Sequence, residues 1–341
     1  MLKVGMIGCG EIAVANARSI HNAKNACIAM VMDVVEEVAK DLGEKYNAPY
    51  TTDVKKLLAN PDVDAVIIST PHYLHAPLAI QSAEAGKHVM VEKPIAINLK
   101  QADEMIAACE KAGVLLSVCF VSRDSASTVK SKELIEQGVI GKIIGIKISG
   151  MSNKPEHYWH GGYSGRVKTY WRQQLEKSGG GYLIMNLVHN IDKLRYITGL
   201  EAVRVYSEYD TFVTPVEVED MLNVVIRYNN GAIGSIDGSS CAVGGESFGD
   251  RIYGTEGQIV SGNPLRVYTT KSAGDLKANE WNAIKLEEPY DSRVKFIEDF
   301  AEAVLTGKQP PITGHDGRAT LEIIVAAYES GRRKAVVELP M

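Results

Sequence analysis

Up to about Phe120 the chain alternates short apolar runs with amphipathic ones. "KVGMIG" precedes "EIAVANARSIHNA", "ACIAMVMD" precedes "VVEEVAKDLGEKY", and "DAVIIST" precedes "LHAPLAIQSAEAG". "KHVMVEK" then leads to "LKQADEMIAACEKAG" and "VLLSVCF"; Asn98 is placed to cap the helix between them and Gly113 to end it. Strand–helix alternation of this kind predicts a parallel sheet with helices on both faces, a doubly wound α/β architecture.

The first turn of the pattern is "GMIGCGEIA", with Gly8 and Gly10 between a strand and a helix and Ala13 in the third small position. A GxGxxA run alone is weak evidence, but here it has the strand–turn–helix setting that a dinucleotide site requires. Gly8 permits the tight turn, Gly10 lets a pyrophosphate approach the backbone, and Ala13 keeps helix and strand close. Glu11 and Ile12 open the helix, where free N–H groups would meet the phosphates. Asp33 ends the second strand, placed for its carboxylate to accept hydrogen bonds from the adenosine ribose. It would repel a 2′-phosphate, so NAD is expected rather than NADP. "STPHYLH" follows a further strand end, on the side where this architecture binds ligands. Ser69, Thr70 and Pro71 form that turn, and His72 and His75 are candidates for lining the cofactor groove; each histidine alone reads more simply as a local hydrogen-bonding residue.

After Phe120 the texture changes. "SASTVKSKELIEQGVIG" reads as one helix, and then β-branched residues and turn pairs dominate: "GKIIGIKISGM", "VRVYSEYDTFV", "VEDMLNVVIRYNNGAIGSIDGSS" and "DRIYGTEGQIVSG". "NNG" between two alternating runs is a hairpin signal. This half predicts a mostly antiparallel sheet. Helices over about 292–306 and 315–332 close the chain, with the option of packing back on the first domain. The expected division is 1–122 for dinucleotide binding and 123–341 for a second domain.

Composition removes other classes. The 341 residues are 45% hydrophobic and 23% charged, with a formal net charge of -5, so no basic excess attracts nucleic acid or an anionic membrane. No apolar run approaches the ~18 residues of a membrane span, and "MLKVGMIGCG" enters a strand directly, unlike a signal peptide. The five cysteines form no CxxC and have no histidine cluster beside them, which favours buried thiols in a reducing cytoplasm over disulfides or a metal site.

"HVMVEKPIAIN" poses a separate problem, because Glu92, Lys93 and Pro94 stand between apolar flanks and ionised groups are almost never buried unpaired. With "GCGEIA", "TPHYLH", "EAGKHVMVEKP" and "SGGGYLIMNLVHNIDKLRYITG" in this order over residues 8–199, the chain resembles the Gfo/Idh/MocA oxidoreductases. The resemblance implies a Rossmann domain, a C-terminal α/β domain with an open sheet, and a nicotinamide cofactor. It implies sugar or cyclitol substrates, and homodimers or homotetramers built on that sheet. It gives Lys93 a place near the nicotinamide, where a cation stabilises oxygen charge in the transition state. Glu92 would offset part of that charge, and the Lys93–Pro94 peptide is of the kind that is commonly cis in the family.

In the same family the histidine at the position of His189 is usually the general acid/base, a task suited to an imidazole. Helical spacing gathers Asn186, His189 and Lys193 on one face. Many members carry an aspartate four residues before this histidine; here that residue is Met185, with Asn186 beside it as a candidate hydroxyl ligand. The aromatic and cationic stretch "HYWHGGYSGRVKTYWRQQ" supplies further candidate substrate contacts: Tyr158, Trp159, His160, Tyr163, Lys168, Trp171 and Arg172, with Arg123 from the end of a strand. The expected activity is NAD-dependent hydride transfer at a carbohydrate or cyclitol hydroxyl carbon. The alternatives are an NAD-dependent glycosidase acting through transient C3 oxidation, and a non-catalytic sensor on the same fold.

Overall fold

The computed structural model describes residues 1–341. It contains two compact units, one of Met1–Val121, Pro155–Gly180 and Tyr290–Leu321, the other of Ser122–Lys154, Gly181–Pro289 and Glu322–Met341.

The first unit is built on six strands: β1 (Leu2–Ile7), β2 (Ala26–Met32), β3 (Tyr50–Thr51), β4 (Ala65–Ile68), β5 (His88–Val91) and β6 (Leu116–Val118). They run parallel, as the alternating sequence predicts, and lie in the order β3-β2-β1-β4-β5-β6. The helices between them are α1 (Glu11–Asn22), α2 (Glu36–Tyr46), α3 (Val54–Leu58), α4 (His75–Glu84) and α5 (Leu99–Ala112). Asn98 caps α5 through its side chain and Gly113 ends it in the left-handed conformation. All four residues of β4 are buried, which is the pattern of a parallel strand covered on both faces.

The second unit opens with α6 (Ala126–Glu136) and β7 (Ile143–Met151). Two short helices of the first unit, α7 (Tyr158–Gly161) and α8 (Leu175–Ser178), come next in the chain. A π-helical turn (Leu183–Leu187) then runs into α9 (Val188–Thr198). The remaining strands are β8 (Ala202–Asp210), β9 (Met221–Tyr228), β10 (Ile233–Ser239), β11 (Arg251–Gly254), β12 (Gly257–Val260), β13 (Leu265–Thr269), β14 (Glu280–Ile284) and, at the end of the chain, β15 (Val337–Glu338). The sheet order is β14-β13-β12-β11-β7-β10-β9-β8-β15, and only β7 and β10 pair in parallel. The expected hairpin joins β9 to β10, with Gly231 at φ +88.

Leu222, Val224, Ile226 and Tyr228 of β9 are buried, whereas Val225 between them is exposed, so the sheet has one covered and one open face. On the covered face Leu187 meets the strands where they carry only glycine. A Cβ on Gly238 would stand 2.6 Å from Leu187, and one on Gly150 would overlap it.

The last two helices are α10 (Ser292–Thr306) and α11 (Gly314–Arg333), close to the ranges predicted from spacing. α10 belongs to the first unit and packs on α1, β1 and β2. No helix is long and apolar enough to cross a membrane.

Candidate active site

The glycine turn after β1 is shaped by close approach on one side and open space on the other. Gly8 has φ +93, and a Cβ there would sit 2.8 Å from the Ser69 carbonyl oxygen. Gly10 is the N-cap of α1, with nothing within 4 Å of where its Cβ would be and no side chain capping the helix. The first N–H groups of a 12-residue helix therefore have no side-chain cap at an open edge, the arrangement that receives anions. Asp33 is tied to the same turn: Oδ2 accepts from Cys9 N at 2.7 Å and Oδ1 from Val35 N at 2.9 Å. Thr70 Oγ1 is buried with no partner in the chain, and its methyl lies 3.1 Å from the Gly8 Cβ position. Open amides, an oriented carboxylate and an orphaned hydroxyl fit the phosphates, ribose and polar edges of a dinucleotide.

Glu11 is occupied differently from Gly10. Its carboxylate accepts from Tyr163 N at 3.1 Å and Ser164 N at 3.0 Å. Arg166 donates to Cys9 O at 2.9 Å and to Asp41 at 2.6 Å. Residues 163–166 are thus pinned beside the glycine turn, while Ile12 is exposed.

The charges that interrupt the apolar run after β5 are accommodated separately. Glu92 is only 5% exposed. Its Oε1 accepts from Asn16 at 3.0 Å and from Arg293 at 2.9 Å, and Asn16 also donates to Ser69 Oγ at 3.0 Å. Lys93 is half-buried, and its peptide bond to Pro94 is cis, as the family resemblance implies. The next carbonyl, that of Pro94, is 2.8 Å from His75 Nδ1, and His75 Nε2 is 3.0 Å from Thr70 O. His75 is completely buried and braces the two strand-end turns against each other. His72 Nδ1 donates to Ser178 O at 2.8 Å. Burial lowers the pKa of both rings, and the Lys93 charge acts in the same direction.

The aromatic segment meets His72 through Trp171. The Trp171 ring is 4.4 Å from that of His72. The Arg172 guanidinium lies 4.6 Å from the Trp171 ring and 5.2 Å from that of Tyr158. Tyr158 and Trp159 are buried edge to face, the Tyr163 ring is tilted against that of Tyr158, and His160 lies near Tyr170. Lys168 is exposed.

In the second unit, Asn186 and His189 are half-buried and Met185 is buried. Asn186 falls in the π-helical turn and His189 in α9, so the uniform α-helical spacing assumed for that face is interrupted between them. Lys193 pairs with Asp250 at 2.6 Å, and Asn190 donates to the same carboxylate at 2.8 Å. Arg123 is buried, with Nε and Nη2 donating to Asp192 at 2.8 and 2.6 Å and its guanidinium 5.0 Å from the Tyr196 ring. That pairing ties α9 to the turn before α6. Asn16, Arg166, Arg293 and Asp250 carry no local motif, and their partners lie far away in the chain; Arg293 is 201 residues from Glu92.

Residues 2–120 match the oxidoreductase family with an NAD-binding Rossmann fold, and residues 132–339 match the C-terminal alpha/beta domain of that family. Myo-inositol 2-dehydrogenase of Thermotoga maritima is 30% identical over 345 residues, covering 99% of this chain and 98% of its own. 2,7-anhydro-N-acetylneuraminate hydratase of Escherichia coli is 26% identical, over 81% of this chain and 70% of its own. The solved structure of levoglucosan dehydrogenase in complex with NADH aligns with a TM-score of 0.88 at 26% identity, covering 100% of this chain and 99% of that one. The chain belongs to the Gfo/Idh/MocA oxidoreductase family, as an NAD-dependent dehydrogenase or reductase acting on CH–OH groups.

Proposed function

We propose that the substrate is a sugar, sugar derivative or cyclitol, and that Lys93 and His189 act on its reacting oxygen. Residues 1–122 serve the cofactor and 123–341 the substrate and assembly. Gly8, Gly10, Asp33, Ser69, Thr70 and Pro71 would hold the dinucleotide, which would supply the hydride acceptor for oxidation and the donor for reduction. His189 takes the proton of the substrate hydroxyl as the carbon loses hydride, and gives it back in the reverse direction. The Lys93 ammonium stabilises the oxygen while it carries charge. Tyr158, Trp171, Arg172 and Asn186 offer the aromatic faces and hydrogen bonds that a polyhydroxylated ring needs. Arg123 is committed to Asp192, and we give it the role of anchoring α9.

The observation that carries this reading is the half-buried Lys93 at the carboxyl end of β5, between the Glu92 network and the His75 brace, in the unit whose glycine turn fits NAD. Exposed Tyr206, Val225 and Ile233 on the open face of the sheet support assembly into a homodimer or homotetramer. A cytoplasmic location accords with five free thiols.

Lys93→Ala and His189→Ala should each lower turnover by at least about 10²-fold, with NADH affinity in a fluorescence titration little changed. Full turnover in both variants would overturn the assignment. Sugars and cyclitols screened with NAD and NADP, read by absorbance of the reduced cofactor, identify the substrate. The hydratase relative favours a second reading, transient oxidation that activates an elimination or hydration; product formed with no net NADH would select it.

A further inference from the structure

The helix bearing His189 begins in an unusual way. The first turn of a helix leaves N–H groups without intrahelical partners, and a local Ser, Thr, Asp or Asn ordinarily meets one of them. Here two residues from elsewhere in the second unit meet four. Glu219 Oε2 accepts from Gly181 N at 2.6 Å, its backbone oxygen from Tyr182 N at 3.3 Å, and its Oε1 from Leu183 N at 2.9 Å. Tyr328 Oη accepts from Ile184 N at 3.4 Å and donates to Glu219 Oε1 at 2.9 Å. Glu219 is 4% exposed. A Cβ at residue 181 would overlap the Glu219 backbone oxygen, so the last of the three glycines is what lets the two chains come together.

A local cap fixes a helix end only to its own chain. Glu219 lies just before β9 and Tyr328 lies in α11, so this cap fixes the helix to the sheet and to a second helix at once. Immediately after it come Met185 and Asn186 in the π-helical turn and His189 in the first turn of α9. We propose that Glu219 and Tyr328 are a positioning pair that sets where Asn186 and His189 stand relative to the substrate. The proposal rests on the reading of His189 as the acid/base. A burial-only role predicts lost stability; positioning predicts lost turnover in a protein that stays folded.

The test uses Tyr328→Phe, which deletes one hydroxyl and keeps the ring, and Glu219→Gln, which turns an amide NH₂ toward an N–H donor. Both are compared with wild type and with His189→Ala by steady-state kinetics, NADH titration and amide hydrogen exchange over 181–189. The expected result is kcat lowered about 10-fold or more in both variants, unchanged NADH affinity, and faster exchange over 181–189; a 10-fold effect is about the size of one hydrogen bond. Wild-type kcat in a folded Tyr328→Phe would overturn the proposal, even if Glu219→Gln does not fold. So would a lowered kcat without faster exchange over 181–189. Full turnover in His189→Ala sinks the acid/base reading instead, and leaves the exchange result to judge the anchor.

Discussion

The Glu92 carboxylate lies 2.9 Å from the Arg293 guanidinium, a partner contributed by α10. Glu92 and Lys93 are neighbours in sequence, yet Glu92 is accounted for by Arg293 and Asn16, away from the strand end it follows. The Glu92 network therefore supports the turn on which Lys93 stands, and its role is architectural before it is electrostatic.

Arg293→Ala would leave Glu92 buried with only the Asn16 amide to satisfy it. Breaking a buried pair costs about 3–5 kcal/mol, and the guanidinium is 18% exposed, so roughly 2–4 kcal/mol is expected. Urea unfolding followed by a probe in the first unit measures it. Glu92→Gln, which keeps a neutral acceptor for Asn16, should cost less in the Arg293→Ala background than in wild type; equal costs in both would dissolve the coupling.

Gly8→Ala and Gly10→Ala should fail for different reasons. At residue 8 a side chain meets positive φ and the Ser69 oxygen, so stability falls by about 1–3 kcal/mol. At residue 10 the backbone has φ -70 and the space is open, so the melting temperature should hold. That space is where the pyrophosphate is expected, and Gly10→Ala should weaken NADH binding about 10-fold or more by displacing it from the helix amides. Unchanged NADH affinity in Gly10→Ala would remove the phosphate from this turn.

Much of the first unit was legible because its signals are local: strand–helix alternation gives parallel strands with helices between them, and a glycine turn needs only its neighbours. The hairpin at Asn229–Gly231 was legible for the same reason. The pairings that hold the site were not. Arg123 reads as a cation past a strand end until Asp192, 69 residues on, accepts from its Nε and Nη2. A π-helical turn leaves no mark in "LIMNL", since it shifts the backbone bonds by one residue without changing composition. The aromatic stretch 155–180 does not declare which sheet it packs on; Glu11 and Arg166 decide that through backbone contacts.

Asp33 should govern cofactor choice. Both carboxylate oxygens are oriented by backbone amides, which leaves lone pairs for ribose hydroxyls and a charge opposed to a 2′-phosphate. Asp33→Ser removes the charge. A hydrogen bond to a charged group is worth about 1.5–3 kcal/mol, so the ratio of kcat/KM for NAD over NADP should fall about 10- to 100-fold. A ratio that stays at the wild-type value would assign the discrimination to another residue.

The two units should respond to pH in opposite directions. Burial pushes the Glu219 carboxyl from 4.5 to about 7, against the pull of its hydrogen bonds. Between those values the folded second unit holds a proton that the unfolded chain has released. Its contribution is therefore full below pH 4.5 and is lost as pH rises toward about 7. His72 and His75 are held by burial below the ordinary value of 6.5, so the unfolded chain takes up protons before they do. The first unit accordingly loses stability as pH falls below 6.5. Amide exchange corrected for intrinsic rates should quicken around His72 and His75 between pH 7 and pH 5.5, and slow over residues 181–189. Glu219→Gln should abolish the second trend and leave the first. Exchange over 181–189 that quickens as pH falls over this range, or a Glu219→Gln protein with the wild-type trend there, would show that Glu219 is not the group that titrates there.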